Sequence, residues 1–245
     1  MELFILVLII VPAIFWVFYK AKIKGVIGEK TISSILYFLG NSKYKVINNV
    51  VIKNDEVTSQ IDHIVISNYG IFVIETKNFK GWIVGGEKSE FWTQIIFKYK
   101  KKFYNPLLQN SGHIKALKKC LVDYPHIKYY SIIVFSNNAE IKVNTSQDVI
   151  NSSQLLRTIK KYSDINLTET EKEKITKKIK SSNLIDSYDK RQHIKSIKKR
   201  INHREKSIVA NKCPSCGCDL IKRKGKFGFF LGCASYPKCR FIRNI

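Results

Sequence analysis

The most apolar stretch of the chain lies at its beginning. Residues 3–19 are an unbroken run of 17 residues without a charge, and a helix of that length spans about 26 Å, close to the hydrocarbon core of a bilayer. Lys20, Lys22 and Lys24 follow directly. Because positive residues stay on the cytoplasmic side, we predict a single-pass anchor (1–24) in the cell membrane with the body of the protein inside. A cleavable signal peptide is the alternative, but the segment lacks a basic start and small cleavage-site residues.

Helical and strand periodicities alternate through the next part of the chain. Helical spacing of apolar residues predicts helices at residues 29–39, 105–122 and 153–162. Alternating or β-branched residues predict strands at residues 44–52, 60–67, 70–77 and 128–136, with one or two shorter strands within 82–99 and a turn at Gly85-Gly86. The order helix, three strands, helix, strand, helix predicts an α/β domain with a mixed sheet flanked by helices.

The pattern changes after Asn166. Thr168 and Glu171 have the spacing of a capping box, and a charged stretch with few apolar positions then reaches about Glu205. We predict two lightly packed basic helices here; disorder in the absence of a partner is the open alternative. The predicted organisation is an anchor (1–24), an α/β domain (25–162), a basic helical linker (163–210) and a small C-terminal module (211–245).

The charge of the chain is strongly positive and unevenly distributed. Its formal net charge is +24, from 43 Lys+Arg and 19 Asp+Glu. Residues 172–245 contain 21 basic and 5 acidic residues, a net of +16, so two-thirds of the excess lies in the last third of the chain. This concentration indicates a polyanionic partner, either nucleic acid or an anionic membrane surface. The 44% of apolar residues excludes a wholly disordered chain.

Three residues of the predicted hairpin have the chemistry for phosphodiester hydrolysis. Glu75 and Lys77 alternate along one strand and therefore project from one face, and Asp62 lies at a comparable height on the preceding strand if the register holds. Two carboxylates suit Mg²⁺, which acidifies a water, and a lysine stabilises developing negative charge. Glu29, on the sheet-facing side of the first helix, is a candidate fourth member, although the helix dipole alone favours a carboxylate there.

Five of the six cysteines are clustered near the C-terminus. Their spacing is C-x2-C, sixteen residues, then C-x5-C, and two such pairs on turns can converge tetrahedrally on a structural Zn²⁺. Cys218 is surplus, and Cys216 is preferred because C-x2-C fits the geometry of a zinc knuckle. The predicted zinc ligands are Cys213, Cys216, Cys233 and Cys239.

Several separated motifs resemble one known family. Gly28-Glu29 at the head of a helix, QIDHIVISNYGIFVIETKNFKGWI (60–83) and NPLLQNSGHIKAL (105–117) are similar to the nuclease-related domain (NERD). The resemblance implies a PD-(D/E)xK restriction-endonuclease-like fold and a nuclease. It implies metal binding by Asp62 and Glu75 and a catalytic set that comprises Glu29, Asp62, Glu75, Lys77 and Gln109. The proline of the superfamily motif is Ile61 here, which leaves the carboxylate of Asp62 intact.

The cysteine-rich segment resembles the four-cysteine zinc ribbon at the C-terminus of bacterial type I topoisomerases. The resemblance implies binding to single-stranded DNA, and the basic and aromatic residues of the segment suit phosphate contacts and base stacking. Packing of the aromatic residues into the ribbon's own core is the alternative. The candidate nucleic-acid contacts are Lys222, Arg223, Lys224, Lys226, Phe229, Tyr236, Lys238 and Arg240.

These observations favour a membrane-anchored, Mg²⁺-dependent nuclease that acts on DNA bound by its zinc ribbon. The main alternative is a catalytically inactive, membrane-attached DNA-binding protein. A further alternative is that the basic region binds a lipid surface. We expect His63 to be structural, His113 to be packed or solvated rather than part of the site, and Cys120 to be a small buried apolar residue.

Overall fold

The computed structural model describes residues 23–40, 42–54, 57–185, 201–225 and 228–244. The chain divides into two compact units, Met1–Tyr188 and Asp189–Ile245. Within those described ranges, no helix combines the length and the apolar character needed to cross a bilayer. The apolar run that predicts the anchor, residues 3–19, lies outside the described residues.

The first unit is built from strands and helices in mixed order. Its strands are β1 (Tyr44–Asn54), β2 (Val57–Ser67), β3 (Gly70–Lys77), β4 (Gly81–Gly86), β5 (Phe91–Ile96), β6 (Tyr99–Tyr104), β7 (Tyr129–Phe135), β8 (Ala139–Asn144) and β9 (Asp148–Asn151). Its helices are α1 (residues 23–37), α2 (Pro106–Cys120), α3 (Leu155–Lys160) and α4 (Glu169–Ser181). A 3₁₀ turn at Ser152–Gln154 precedes α3.

A five-stranded sheet in the order β1-β2-β3-β7-β9 forms the centre of this unit. The first three strands are antiparallel, and β7 and β9 continue the sheet in parallel with β3. Leu117 of α2 and Ile175 of α4 pack on one face, and Leu36 of α1 and Leu155 of α3 pack on the other. The predicted mixed sheet flanked by helices is therefore confirmed.

A second sheet, in the order β6-β5-β4-β8, was not anticipated from the sequence as a separate layer. The predicted turn at Gly85-Gly86 is wrong, because both glycines lie within β4. A Cβ atom on Gly85 would come within 2.3 Å of the Trp92 ring. The glycine is therefore needed for the close packing of Trp92, which is fully buried beside Ile83 and Phe135.

Helix α4 belongs to the core of the first unit. Thr168 and Glu171 form the predicted capping box at its start, and Ile175 and Ile179, one turn apart, are fully buried. The prediction of light packing is wrong for this helix, because its few apolar residues all fall on the face that meets the sheet. Buried Lys172 donates to the backbone carbonyl of Ser42 and to the Asn68 side chain.

The second unit contains a helix and a small antiparallel sheet among its described residues. The helix is α5 (residues 201–209). The strands are β10 (Leu220–Gly225), β11 (Gly228–Cys233) and β12 (Ile242–Asn244), paired in that order. Leu220, Leu231 and Phe241 pack with Cys213 and Cys233, so the hairpin predicted between the two cysteine pairs is present.

Candidate functional site

Asp62 and Glu75 lie where strands β2 and β3 separate. The last paired residues of the two strands are His63 and Ile74, and the next position along the same register would set Asp62 opposite Glu75. The Thr76 backbone N–H donates to Asp62 Oδ2 at 2.8 Å. The side-chain carboxylate of Asp62 thus accepts a hydrogen bond from the backbone of β3, and this bond holds Asp62 against that strand.

Glu75 is 2% exposed and both of its carboxylate oxygens have partners. Lys77 Nζ donates to Oε1, and His113 Nε2 lies 3.2 Å from Oε2. Lys77 Nζ also donates to Gln109 Oε1 at 3.1 Å. Glu75 and Lys77 therefore project from one face, as predicted, and helix α2 brings Gln109 to the same point.

The two carboxyl groups have opposite electrostatic environments. Burial, followed by the negative charge of Glu75, raises the pKa of Asp62 well above its ordinary value. Burial also acts to raise the pKa of Glu75, but the charge of Lys77 and the hydrogen bond with His113 outweigh it and hold that pKa below its ordinary value. Glu75 is therefore the carboxylate that stays ionised, and Asp62 lacks sufficient positive charge nearby.

Helix α1 brings Glu29 toward the same group. The negative charge of Glu29 is one of the influences that raise the pKa of Asp62, after burial and Glu75. The helix approaches the end of β3 closely, because the Asn78 side chain donates to the Lys24 carbonyl at 2.6 Å. A Cβ atom on Gly28 would lie 2.7 Å from that of Asn78. The predicted residues Glu29, Asp62, Glu75, Lys77 and Gln109 thus belong to one electrostatic neighbourhood.

His113 is a member of the site that sequence reasoning undervalued. It is buried, and its Nδ1 atom lies 2.7 Å from Ser59 Oγ while its Nε2 atom meets Glu75. The hydroxyl and the carboxylate together fix the orientation of the ring. Its spacing of four residues from Gln109, on one face of a helix, is the signal in the sequence that identifies it.

His63 makes its side-chain hydrogen bond outside this group. It pairs with Ile74 across the strands and is buried beside Asn48, with Nδ1 at 2.8 Å from Asn48 Oδ1. Burial lowers the pKa of His63 to about 4, so the ring is neutral at physiological pH. These contacts agree with the structural role expected of it.

The carboxylate pair fits a hard divalent cation. Mg²⁺ is held in proteins by one or two carboxylates and completes its shell with waters and substrate oxygens. Asp62 and Glu75 supply such a pair, and crowding of their charges is what a cation would relieve. The donor set and its electrostatics therefore fit such a cation.

Four cysteines of the second unit form a closed metal site. The Sγ atoms of Cys213, Cys216, Cys233 and Cys239 all lie within 4.8 Å of one another. The Cys213–Cys239 and Cys216–Cys233 separations are 3.7 and 3.3 Å, close to the roughly 3.8 Å expected for thiolates around a tetrahedral Zn²⁺. Cys218 is outside the group and accepts from Ser235 Oγ at 3.0 Å. The preference for Cys216 agrees with this arrangement.

The candidate nucleic-acid contacts of this unit are largely accessible. Phe229 and Tyr236 are 52% and 61% exposed, so neither forms the core of the ribbon, whose apolar centre is built from other residues. Lys222 Nζ lies 4.6 Å from the centre of the Phe229 ring, and the Arg223 guanidinium lies 6.0 Å from that of Tyr236. Lys224, Lys238 and Arg240 are exposed, and Lys226 lies outside the residues whose side chains the structure describes.

Comparison with known proteins identifies both parts of the chain. Residues 24–136 match the family model of the nuclease-related domain, and residues 210–245 match that of the topoisomerase DNA-binding C4 zinc finger. An uncharacterised protein of Bacillus anthracis is 37% identical over 181 residues, which cover 72% of this chain and 84% of that protein. No solved structure matches the chain.

The relatives of the ribbon are mostly much longer proteins. DNA topoisomerase 1 of Methanothermobacter thermautotrophicus is 64% identical over 37 residues, which are 15% of this chain and 5% of that enzyme. The uncharacterised protein YrdD of Escherichia coli is 52% identical over 33 residues, 18% of its length. The similarity to the topoisomerase is thus confined to the ribbon. The chain belongs to the nuclease-related domain family and carries a topoisomerase-type zinc ribbon at its C-terminus.

Proposed function

We propose that this protein is a membrane-anchored, metal-dependent nuclease that hydrolyses DNA phosphodiester bonds. The observation that carries the proposal is the convergence of Asp62, Glu75 and Lys77 at the separating ends of two strands, with Gln109 in contact with the lysine. The succession of helix, three antiparallel strands, helix and a strand parallel to the third supports the restriction-endonuclease-like fold that the family resemblance implies.

Each residue of the site has a distinct role in this proposal. Asp62 and Glu75 would hold Mg²⁺, which supplies an acidified water and offsets charge on the phosphate. Lys77 stabilises the charge that develops on the scissile phosphate or orients the attacking water. Gln109 positions the Lys77 ammonium through its Oε1 atom, and Glu29 adds a further carboxylate beside Asp62.

In this proposal the zinc ribbon binds the DNA substrate and the N-terminal apolar run attaches the protein to the membrane. The zinc ribbon presents exposed lysines and aromatic rings that suit single-stranded DNA, and the topoisomerase relatives make DNA the favoured ligand. The apolar run at residues 3–19, followed by lysines, would hold the body of the protein at the cytoplasmic face of the cell membrane.

A second candidate function is a catalytically inactive, membrane-attached DNA-binding protein. The observation in its favour is that Lys77 and His113 already occupy both oxygens of Glu75. A carboxylate satisfied in this way is also what an internal ion pair with a purely structural role would look like. In the nuclease, by contrast, at least one of these partners must share Glu75 with the metal.

Nicking of supercoiled plasmid DNA in the presence of Mg²⁺ tests the proposal. The full-length protein should nick the plasmid, and Glu75→Ala should reduce the rate by about two orders of magnitude or more, because a metal ligand is lost. Glu173→Ala, which removes a partly exposed carboxylate of α4 that pairs with Lys45, is the matched control and should be fully active. Equal nicking by Glu75→Ala would contradict the catalytic assignment, and absence of cleavage with any divalent metal would favour the inactive candidate.

A further inference from the structure

The outer face of the second sheet concentrates exposed aromatic rings. Among the described residues nine aromatic side chains are exposed, and five of them belong to this sheet or its hairpin. Trp82, Phe91 and Tyr104 are on the outer face itself, Phe97 is at the hairpin tip, and Tyr99 is on the opposite face of its strand. Phe97, at the tip between β5 and β6, is 95% exposed. Such clustering on one surface of a folded domain marks a place where another molecule binds.

The strand register separates this outer face from the core. Trp92 pairs with Phe103, and both pack inward against Phe135. Because side chains alternate along a strand, the neighbouring pair of Phe91 and Tyr104 projects outward. The remaining outward residues form two rows that cross strands β4, β5 and β6 in that order. One row is Trp82, Ile95 and Lys100, and the other is Val84, Thr93 and Lys102.

Lysines are interspersed among these rings with little acidic compensation. The hairpin of residues 91–104 contains four lysines and no Asp or Glu. They are Lys98, Lys100, Lys101 and Lys102. In the part of the chain that the structure describes, no salt bridge involves any of these four. Lys142 of β8 is on the same face and lies over the Trp82 ring at 3.6 Å while pairing with Glu140.

We propose that this face, defined by Trp82, Phe91, Lys100, Lys102 and Tyr104, binds single-stranded nucleic acid. Unpaired ammonium groups attract phosphates, and accessible aromatic rings stack on bases that are not paired with a second strand. An open sheet that combines the two is a recurrent platform for single strands. Duplex DNA hides its bases, so the rings of this face would have no partner on it.

The position of the face in the fold favours nucleic acid over an anionic lipid surface. Strand β6 passes through Asn105 directly into helix α2, which carries Gln109. Strand β4 begins four residues after Lys77. A single strand held on this face would therefore be a substrate of the adjacent site. That last step rests on the proposed nuclease function, whereas binding by the face does not.

Oligonucleotide binding by full-length protein in neutral detergent, in buffer without Mg²⁺, tests the inference. The probe is a labelled oligothymidylate of about 20 nucleotides, titrated at several salt concentrations. The double variant Lys100→Gln, Lys102→Gln should bind severalfold more weakly, and the slope of log K against log salt should become smaller by about 1.4, since each lost single-strand phosphate contact removes about 0.7. The control Lys174→Gln, Lys177→Gln removes the same charge from the exposed side of α4 and should leave both quantities unchanged.

Photo-crosslinking separates this face from the zinc ribbon. An oligonucleotide carrying 4-thiothymidine should crosslink to peptides from residues 91–104 as well as to the ribbon. Unchanged affinity of the double variant together with crosslinks confined to residues 220–244 would overturn the inference. Loss of binding to anionic vesicles with retained oligonucleotide binding would also overturn it, in favour of a lipid surface. Because nothing is cleaved in these experiments, their outcome is independent of the plasmid assay.

Discussion

Asp62 and Glu75 differ in how their negative charge is compensated. Glu75 is paired with Lys77 and His113, whereas Asp62 accepts a hydrogen bond from the backbone N–H of Thr76. Neighbouring carboxyl groups with pKa values pushed in opposite directions are a common arrangement in catalytic sites. A metal ion between the two would oppose the effects of burial and of Glu75 on the pKa of Asp62, since its positive charge would stabilise the ionised carboxylate.

This electrostatic cost predicts that Asp62→Asn stabilises the metal-free protein. Because the folded state raises the pKa of Asp62, the native protein binds the proton more tightly than the unfolded chain. Stability is therefore lost as pH rises from about 3.9 through the folded pKa. Asparagine retains an acceptor for the Thr76 N–H but carries no charge. The melting temperature of the Asp62→Asn variant at pH 7 should therefore exceed that of the wild type, by about 2–4 °C for each kcal/mol of electrostatic cost removed.

The pH dependence of melting distinguishes this cause from a general effect of the substitution. Thermal unfolding of the full-length protein in neutral detergent, without Mg²⁺, is followed by near-UV circular dichroism between pH 4 and pH 7. The advantage of Asp62→Asn should shrink as the pH approaches 4, where the wild-type carboxyl is protonated. A variant that is less stable at pH 7, or an advantage that does not change with pH, would contradict the proposed cost.

At the scale of elements, the zinc ribbon depends on two turns held by one ion. Cys213 and Cys233 are buried and the sheet of this unit has only three strands, so a unit of this size requires the metal for stability. We predict that Cys216→Ser lowers bound zinc and makes residues 201–244 sensitive to protease. Cys218→Ser is the matched control, because Cys218 lies outside the ligand group, and it should retain zinc and resistance. Zinc content measured by plasma mass spectrometry checks both; equal zinc loss in the two variants would refute the ligand assignment.

The elements also indicate which features a sequence can predict. Alternation along β3 was enough to predict that Glu75 and Lys77 share one face. The two-residue turn at Asn68-Tyr69 sets the register of β2 and β3, and this register brings Asp62 to the height of Glu75. The second sheet was missed, because its outer residues are lysines and aromatic rings rather than a regular apolar and polar alternation. The contact of His113 with Glu75 depends on how α2 crosses the sheet, and periodicity within one helix contains no information about that crossing.

At the scale of the whole molecule, one chain combines a nuclease-related domain and a zinc ribbon with the proposed membrane anchor. The full-length protein is expected in the membrane fraction of cells that produce it. Anchoring by an apolar helix should resist washing at high salt, whereas attachment through surface lysines alone is screened and should be released. A variant that lacks residues 1–22 should move to the soluble fraction. Quantitative immunoblotting measures how much protein each fraction contains. Full release of the intact chain by salt would contradict the prediction of an apolar anchor.

Anomalous diffraction from a crystal soaked with Mn²⁺ tests most directly whether Asp62 and Glu75 bind a metal ion. Mn²⁺ occupies the same carboxylate sites as Mg²⁺. We expect an anomalous peak bound by Asp62 and Glu75, with Lys77 shifted away from Glu75 Oε1, and no such peak in Glu75→Ala. A wild-type crystal without a peak there, in which Lys77 and His113 still occupy both oxygens of Glu75, would contradict this expectation.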